Sequence, residues 1–191
     1  MALLSRADRF DALFRVAESQ SGFFSAAQAR EAGYSARLLS HHAGQQLIER
    51  RARGVYRLVH FPQLTDAEDL VVHWLWSERQ GVYSHTTALQ LHQLSDAMPA
   101  RATMTLPLDW AKRRLRVPTA VRLRFADLDE SDRVVLRGVP VTTAARTVND
   151  CAQAHVEPHL VGQALREGLE RGLFRKDEVL PARAYVREHG E

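Results

Sequence analysis

Between residues 22 and 58 the chain reads GFFSAAQAREAGYSARLLSHHAGQQLIERRARGVYRL, and the punctuation of this stretch leaves few folds open. Ser25 stands before an Ala-rich run whose first-turn amides its hydroxyl can satisfy, and Gly33 supplies a positive-φ stop. Ser35 then opens a second helix to about residue 43, and the connection through Ala32, Gly33 and Tyr34 has the length that joins paired helices. Beyond Gly44, residues 47–50 and 55–58 flank Arg51, Ala52, Arg53 and Gly54, a turn-sized spacer that ends in glycine and fits a β-hairpin. Two capped helices, a tight turn and a hairpin in this order predict a winged helix-turn-helix with the hairpin as its wing. Residues 6–18 carry Phe10, Leu13, Phe14 and Ala17 at helical spacing, which predicts a scaffold helix packed on the other two.

The charge follows the same stretch. Six arginines, at positions 30, 37, 50, 51, 53 and 57, face only Glu31 and Glu49, whereas the whole chain carries +3. Basic charge is therefore concentrated where the second helix and the wing would meet a duplex, and every arginine that reaches a phosphate releases condensed counterions. A solvated arginine face is the alternative, but it would not also bring the caps, the turn and the hairpin spacing.

With these residues in view, GFFSAAQAREAGYS followed by RRARGVYRL resembles the N-terminal domain of AbiEi-type antitoxins, the transcription-regulating partners of type IV toxin-antitoxin systems of abortive infection. The resemblance continues through Asp69, Leu70 and Val71 with Trp74, Leu75 and Trp76, through GVYSHTTALQLHQLSD at 81–96, and through VPVTTAARTVNDCA at 139–152. It implies a DNA-binding repressor of its own operon that also neutralises a nucleotidyltransferase-like toxin. A regulator without a toxin partner is the alternative. The implied partner is double-stranded DNA at the chain's own promoter, in inverted repeats. One departure stands out: Gly44, Gln45 and Gln46 precede the first wing strand in place of a lone glycine.

The resemblance and the chemistry together define a contact set of Ser25, Gln28, Ser35, Arg37, Ser40, His41, Gln45, Arg50, Arg51, Arg53 and Arg57. The second helix would enter the major groove, with Arg37 best suited to a base edge because a guanidinium grips guanine in two places. Arg50, Arg51 and Arg53 would lie along phosphates or in the minor groove, and Tyr56 would pack its ring under the wing. Either His41 or His42 packs against the core side of the helix or touches the DNA backbone.

The remainder predicts an α+β chain, with a winged domain at 1–62 and a mixed body at 63–191 that is a candidate for toxin or partner contacts. Thr65 would cap a connecting helix to about residue 79. A short helix would follow Ser84, strands would run over 102–106, 121–125, 134–136 and 139–141, and helices would run from a cap at Thr142 or Thr143 to about 154, over 158–173 and over 176–188. Strands clustered mid-chain rather than alternating with helices argue against a parallel α/β sheet. A second basic segment, Lys112, Arg113, Arg114 and Arg116 with Arg122 and Arg124, admits three readings: more DNA contact, an acidic partner such as the toxin, or a solvated hairpin.

Catalytic signals are sparse. The acidic run at 127–132 lacks the glycine and ligand spacing of a calcium loop and reads as a solvated turn. His41 and His42 are adjacent, and His85 and His92 sit apart from any Cys or carboxylate set, which argues against a metal site. Nothing calls for a cofactor or an enzymatic role. Arg146 and Asp150 are spaced for an i,i+4 ion pair on a capped helix, whose N-terminus is a weaker candidate for a phosphate. Cys151 sits among apolar residues and reads as a packed thiol. No run approaches a membrane span and the N-terminus has no secretory pattern, so a cytoplasmic location is expected.

Overall fold

The structure, a computed structural model, describes residues 6–62 and 68–190. The chain forms two compact units, residues 1–79 and 80–191. The first contains α1 (Arg6–Glu18), β1 (Phe23–Ser25), α2 (Ala26–Glu31), α3 (Ala36–Gly44), β2 (Ile48–Ala52), β3 (Val55–Leu58) and α4 (Glu68–Trp76). Its sheet has the order β1-β3-β2, antiparallel throughout. This is a winged helix-turn-helix, and the predicted hairpin is its wing.

β1 has no counterpart in the sequence reading, because three residues carry no periodicity. Its consequence is large. Phe23 and Phe24 point to opposite faces, and both are fully buried; each removes enough apolar area to contribute about 2 kcal/mol. Phe24 joins Leu13, Ala17, Ala29, Leu39, Ile48 and Leu58 in the core beneath the helices, where Tyr56 stacks on it with centroids 5.8 Å apart. Phe23 faces the other way, toward α4, which packs on this sheet with Val71 and Leu75 buried. α4, the expected connecting helix after residue 62, lies within the compact unit 1–79. Thr65, its expected cap, lies outside the described residues.

Two glycines are required by geometry. Gly22 has φ +86, and a Cβ there would lie 2.6 Å from the Phe61 ring. Gly54 has φ +74 and, with Arg53, makes a wing turn tighter than the four-residue spacer expected, since Ala52 already pairs with Val55. A register shift between Arg50 and Ala52 bulges the strand at Arg51. Phe10 and Phe14, expected to face inward, are 50% and 38% exposed. They line an open groove of about 870 Å³ with Leu38, Leu47 and Phe61, so the buried stripe of α1 is carried by Leu13 and Ala17.

The second unit contains β4 (Val82–Tyr83), α5 (His85–Leu91), β5 (Ala102–Leu106), β6 (Val121–Phe125), β7 (Arg133–Leu136), β8 (Val139–Thr142), α6 (Ala144–Gln153), α7 (Pro158–Glu170) and α8 (Leu180–His189). The sheet order is β6-β5-β4-β8-β7, with β5–β6 and β4–β8 parallel and the other pairs antiparallel. α6, α7 and α8 pack together around Val148, Cys151, Val161, Ala164, Phe174 and Val179. Cys151 is a packed thiol, and burial pushes its ionisation well up. The α+β class holds for the whole chain.

Candidate nucleic-acid interface

The helix-turn-helix is built by its caps. Ser25 Oγ accepts from Gln28 N at 3.1 Å while Gln28 Oε1 accepts from Ser25 N at 2.9 Å, a reciprocal capping box that fixes the start of α2. Tyr34 is buried after the Gly33 turn, and Ser35 Oγ accepts from Leu38 N at 3.2 Å to start α3. Leu39 anchors α3 in the core, which turns Arg37, Ser40, His41 and Gln45 outward together with Ser35 at its N-cap. The spacing of these exposed residues is that of one helix face. His42 is the histidine that turns inward, its ring 5.7 Å from Tyr34, and His41 is exposed.

The wing offers Arg50, Arg51 and Arg53, all exposed. Arg50 Nε donates to Ala52 O at 3.4 Å, and Arg51 Nη1 lies 3.4 Å from Glu49 Oε1 with both side chains substantially solvated. Such an exposed pair is worth less than about 1 kcal/mol, so a phosphate can displace it at little cost.

Two members of the expected contact set are turned inward. Gln28 is 5% exposed; its Nε2 donates to Gln20 Oε1 at 2.9 Å while its own oxygen serves the cap, so the amide is consumed by the scaffold. Arg57 is also 5% exposed. It pairs in register with Phe23 on the face that α4 covers, so its guanidinium lies 5.7 Å from the Phe23 ring centroid, donates from Nη2 to Phe61 O at 2.9 Å and meets Glu68 Oε1 at 3.5 Å. Strand alternation carried the signal, because Arg57 shares its face with the buried Val55 rather than with the wing surface. Glu68 and Gln20 have partners too far along the chain for a local pattern to show them. Arg30, counted in the charge but not in the contact set, is exposed on α2.

In the second unit, the basic segment follows a 3₁₀ turn at Leu108–Lys112 and is exposed at Lys112, Arg113, Arg114 and Arg116. The Arg113 guanidinium carbon sits over the buried Trp110 ring, 4.0 Å from its centroid, and Nη2 lies 3.7 Å from Asp109 Oδ2. The hairpin alternative fails, because β5 and β6 run parallel and the segment between them is a crossover. The acidic run is more than a solvated turn: Asp127 Oδ1 accepts from Leu108 N at 3.1 Å, and Asp132 Oδ2 accepts from Arg146 Nη1 at 2.7 Å. Arg146 Nε also donates to Asp150 Oδ1 at 2.8 Å, so the expected helix pair is half of a three-residue cluster. Burial pushes the Asp150 carboxyl up, against the pull of Arg146. Among the described residues no group of His, Cys, Asp and Glu could hold a metal ion, and no helix is long and apolar enough to cross a membrane.

A three-helix core, a three-stranded sheet and a basic hairpin beside an exposed helix face define the winged-helix class of fold. Residues 11–59 match the family described as transcriptional regulator, AbiEi antitoxin, and the N-terminal region carries that family's domain. The match ends within the first unit. No curated protein matches the chain. The crystal structure of the RV2827C protein from Mycobacterium tuberculosis is similar over 100% of this chain and 80% of that one, with a TM-score of 0.44 and 12% identity.

Proposed function

We propose that this chain binds the promoter of its own operon and represses it, and that it is the antitoxin of a type IV toxin-antitoxin pair, with residues 80–191 opposing a nucleotidyltransferase-like toxin. The observation that carries the DNA half is the joint exposure of Arg37, Ser40, His41 and Gln45 on α3 and of Arg50, Arg51 and Arg53 on the wing, a helix face and a cationic ribbon presented by one small scaffold. α3 lies in the major groove, where Arg37 reads a base edge and Ser35, Ser40, His41 and Gln45 flank it. The wing arginines neutralise phosphates, and Ser25 at the start of α2 stays a cap.

The test is a fluorescence-anisotropy titration of the full chain on a duplex carrying the upstream sequence, repeated across salt concentrations. Changing Arg50, Arg51 and Arg53 together to Ala removes up to three phosphate contacts, lowers affinity by about two orders of magnitude and flattens the plot of log affinity against log salt by about 2 to 3 units. A triple variant that binds as tightly as the parent, with the same salt slope, rules out the wing as the contact. For the antitoxin half, a nucleotidyltransferase gene beside this one and rescue of its toxicity by residues 80–191 within the full chain are the expected results; a solitary gene favours a regulator without a toxin.

A further inference from the structure

The second unit holds a polar pocket that DNA binding by the winged unit leaves unused. Its volume of about 480 Å³ falls within the range of pockets that take small ligands, on the order of 300–1,000 Å³. His85, Arg124, Arg146, Asp150 and Gln153 give it polar groups, while Phe125 and Ala154 give it an apolar flank.

The polar groups are held rather than merely near. Arg146 spends Nε on Asp150 and Nη1 on Asp132, at 2.8 and 2.7 Å, which locks the guanidinium plane and leaves Nη2 as its nitrogen for a further acceptor. Arg124 extends from β6 opposite Thr105 of β5, on the same face of the sheet, and is exposed. Thr105 Oγ1 lies 2.8 Å from Ser84 Oγ, which lies 2.9 Å from His85 Nδ1. That chain orients the imidazole and leaves Nε2 for a ligand. His85 has φ +53. Among the described residues, the other non-glycine positions with positive φ follow helices or turn a hairpin, whereas His85 opens one. A backbone held in this region stores about 1 kcal/mol or more and persists where the surroundings over-determine it.

The groups facing His85 are the Ser84 and Thr105 hydroxyls and, lining the same pocket from β6 and α6, Arg124, Arg146 and the Asp150 carboxylate that Arg146 holds. Burial, then Arg124, then Arg146 push the imidazole down to about 4, so it is neutral at pH 7 and the charge it senses is positive. The two carboxylates are engaged with Arg146, while Arg124 is open to solvent.

We propose that this pocket binds a small phosphate ester of about nucleotide size. Arg124 and Nη2 of Arg146 grip the phosphate oxygens, His85 Nε2 donates to the same group, and the organic portion rests on Phe125 and Ala154 with the Gln153 amide at its edge. Asp132 and Asp150 are positioning residues that aim Arg146. A duplex backbone fits less well, since a duplex is held by a string of cations along its phosphates and this concavity offers two. The site belongs to the second unit, so its fate is independent of the proposed promoter binding.

The experiment is calorimetric titration of the full chain at low salt with adenosine 5′-monophosphate, inorganic phosphate and adenosine. Saturable binding of the nucleotide, weaker binding of inorganic phosphate and none of adenosine are expected. Arg124→Gln lowers nucleotide affinity by about tenfold or more and leaves thermal unfolding unchanged, because Arg124 is exposed. In imidazole NMR spectra the His85 titration moves up from about 4 toward its ordinary range when nucleotide is added, since the bound anion offsets the two guanidinia. The proposal is overturned by the absence of saturable nucleotide binding, by adenosine binding equally well, by inorganic phosphate binding in place of the nucleotide, or by an affinity that Arg124→Gln leaves intact.

Discussion

The wing and the Arg146 cluster both set arginine against carboxylate, and they end in opposite states. On the wing, Arg51 and Glu49 are 35% and 51% exposed and the pair is loose. In the second unit Arg146 is clamped between two carboxylates, with Asp150 at 11% exposure. Arg57 carries the contrast into the winged unit itself: it lies on the wing's own second strand, yet its side chain is 6% exposed and faces Glu68 at 14%. The number of arginines in a segment therefore says little about how many are available to an anion. Availability is decided by which face of a strand or helix each one occupies and what covers that face.

The strongest attack on this contrast is Arg57→Ala. Removal of one partner leaves the largely covered Glu68 without its cation and Phe61 O without its donor, which costs about 3 kcal/mol; denaturant unfolding of the full chain should show a loss of that size. The protein that remains folded should keep the DNA salt slope of the parent, because Arg57 meets no phosphate. A flattened slope with unchanged stability would place Arg57 with the wing arginines and dissolve the distinction.

Arg37→Ala is a smaller perturbation that sharpens it. An exposed arginine on the face of α3 should be silent in unfolding experiments and cost about 2 kcal/mol in binding to the promoter, concentrated at one base position. Uniform weakening on all sequences would reassign Arg37 from a base edge to a phosphate.

The smallest effect is one of pH. His85 has its folded ionisation lowered to about 4, chiefly by burial, and its ordinary value is 6.5. Between those values the unfolded chain takes up a proton that the folded chain refuses. The corresponding stability is complete above about pH 6.5 and is lost as pH falls toward 4. His92 and His73, also lowered first by burial, act in the same direction. His85→Asn, a residue that tolerates positive φ, should flatten the stability profile by about 1 kcal/mol between about pH 7 and about pH 5.5. An unchanged profile would mean that the imidazole is not held neutral by its surroundings.

Local grammar made much of the winged unit legible. Ser25, Gly33, Ser35 and Gly54 act within a turn of where they stand, and each is found in the role its chemistry suggests. Pairings over distance were not legible. β1 is too short to show alternation, the partner of Arg57 is on a helix beyond residue 62, and Gln28, expected in the contact set, is held inward by Gln20 eight residues earlier. The parallel pairing of β5 with β6 overturned the hairpin reading of the basic crossover for the same reason: strand direction is a property of the sheet, not of the segment. The phosphate pocket joins Ser84 and His85, Arg124 and Arg146, which come from different elements and carry no common motif.

The sheet order of the second unit also has a consequence for synthesis. β4 is central, and its parallel neighbour is β8, so that Tyr83 must wait for Val141 before that side of the strand is paired. The winged unit, by contrast, has all its strands within residues 23–58. As the chain leaves the ribosome, the first unit has its complete sheet in hand while the second still exposes an unpaired central edge. Pairings closed over long loops form late and leave edges open to wrong partners. The nascent second unit is thus the part of this protein most in need of a chaperone.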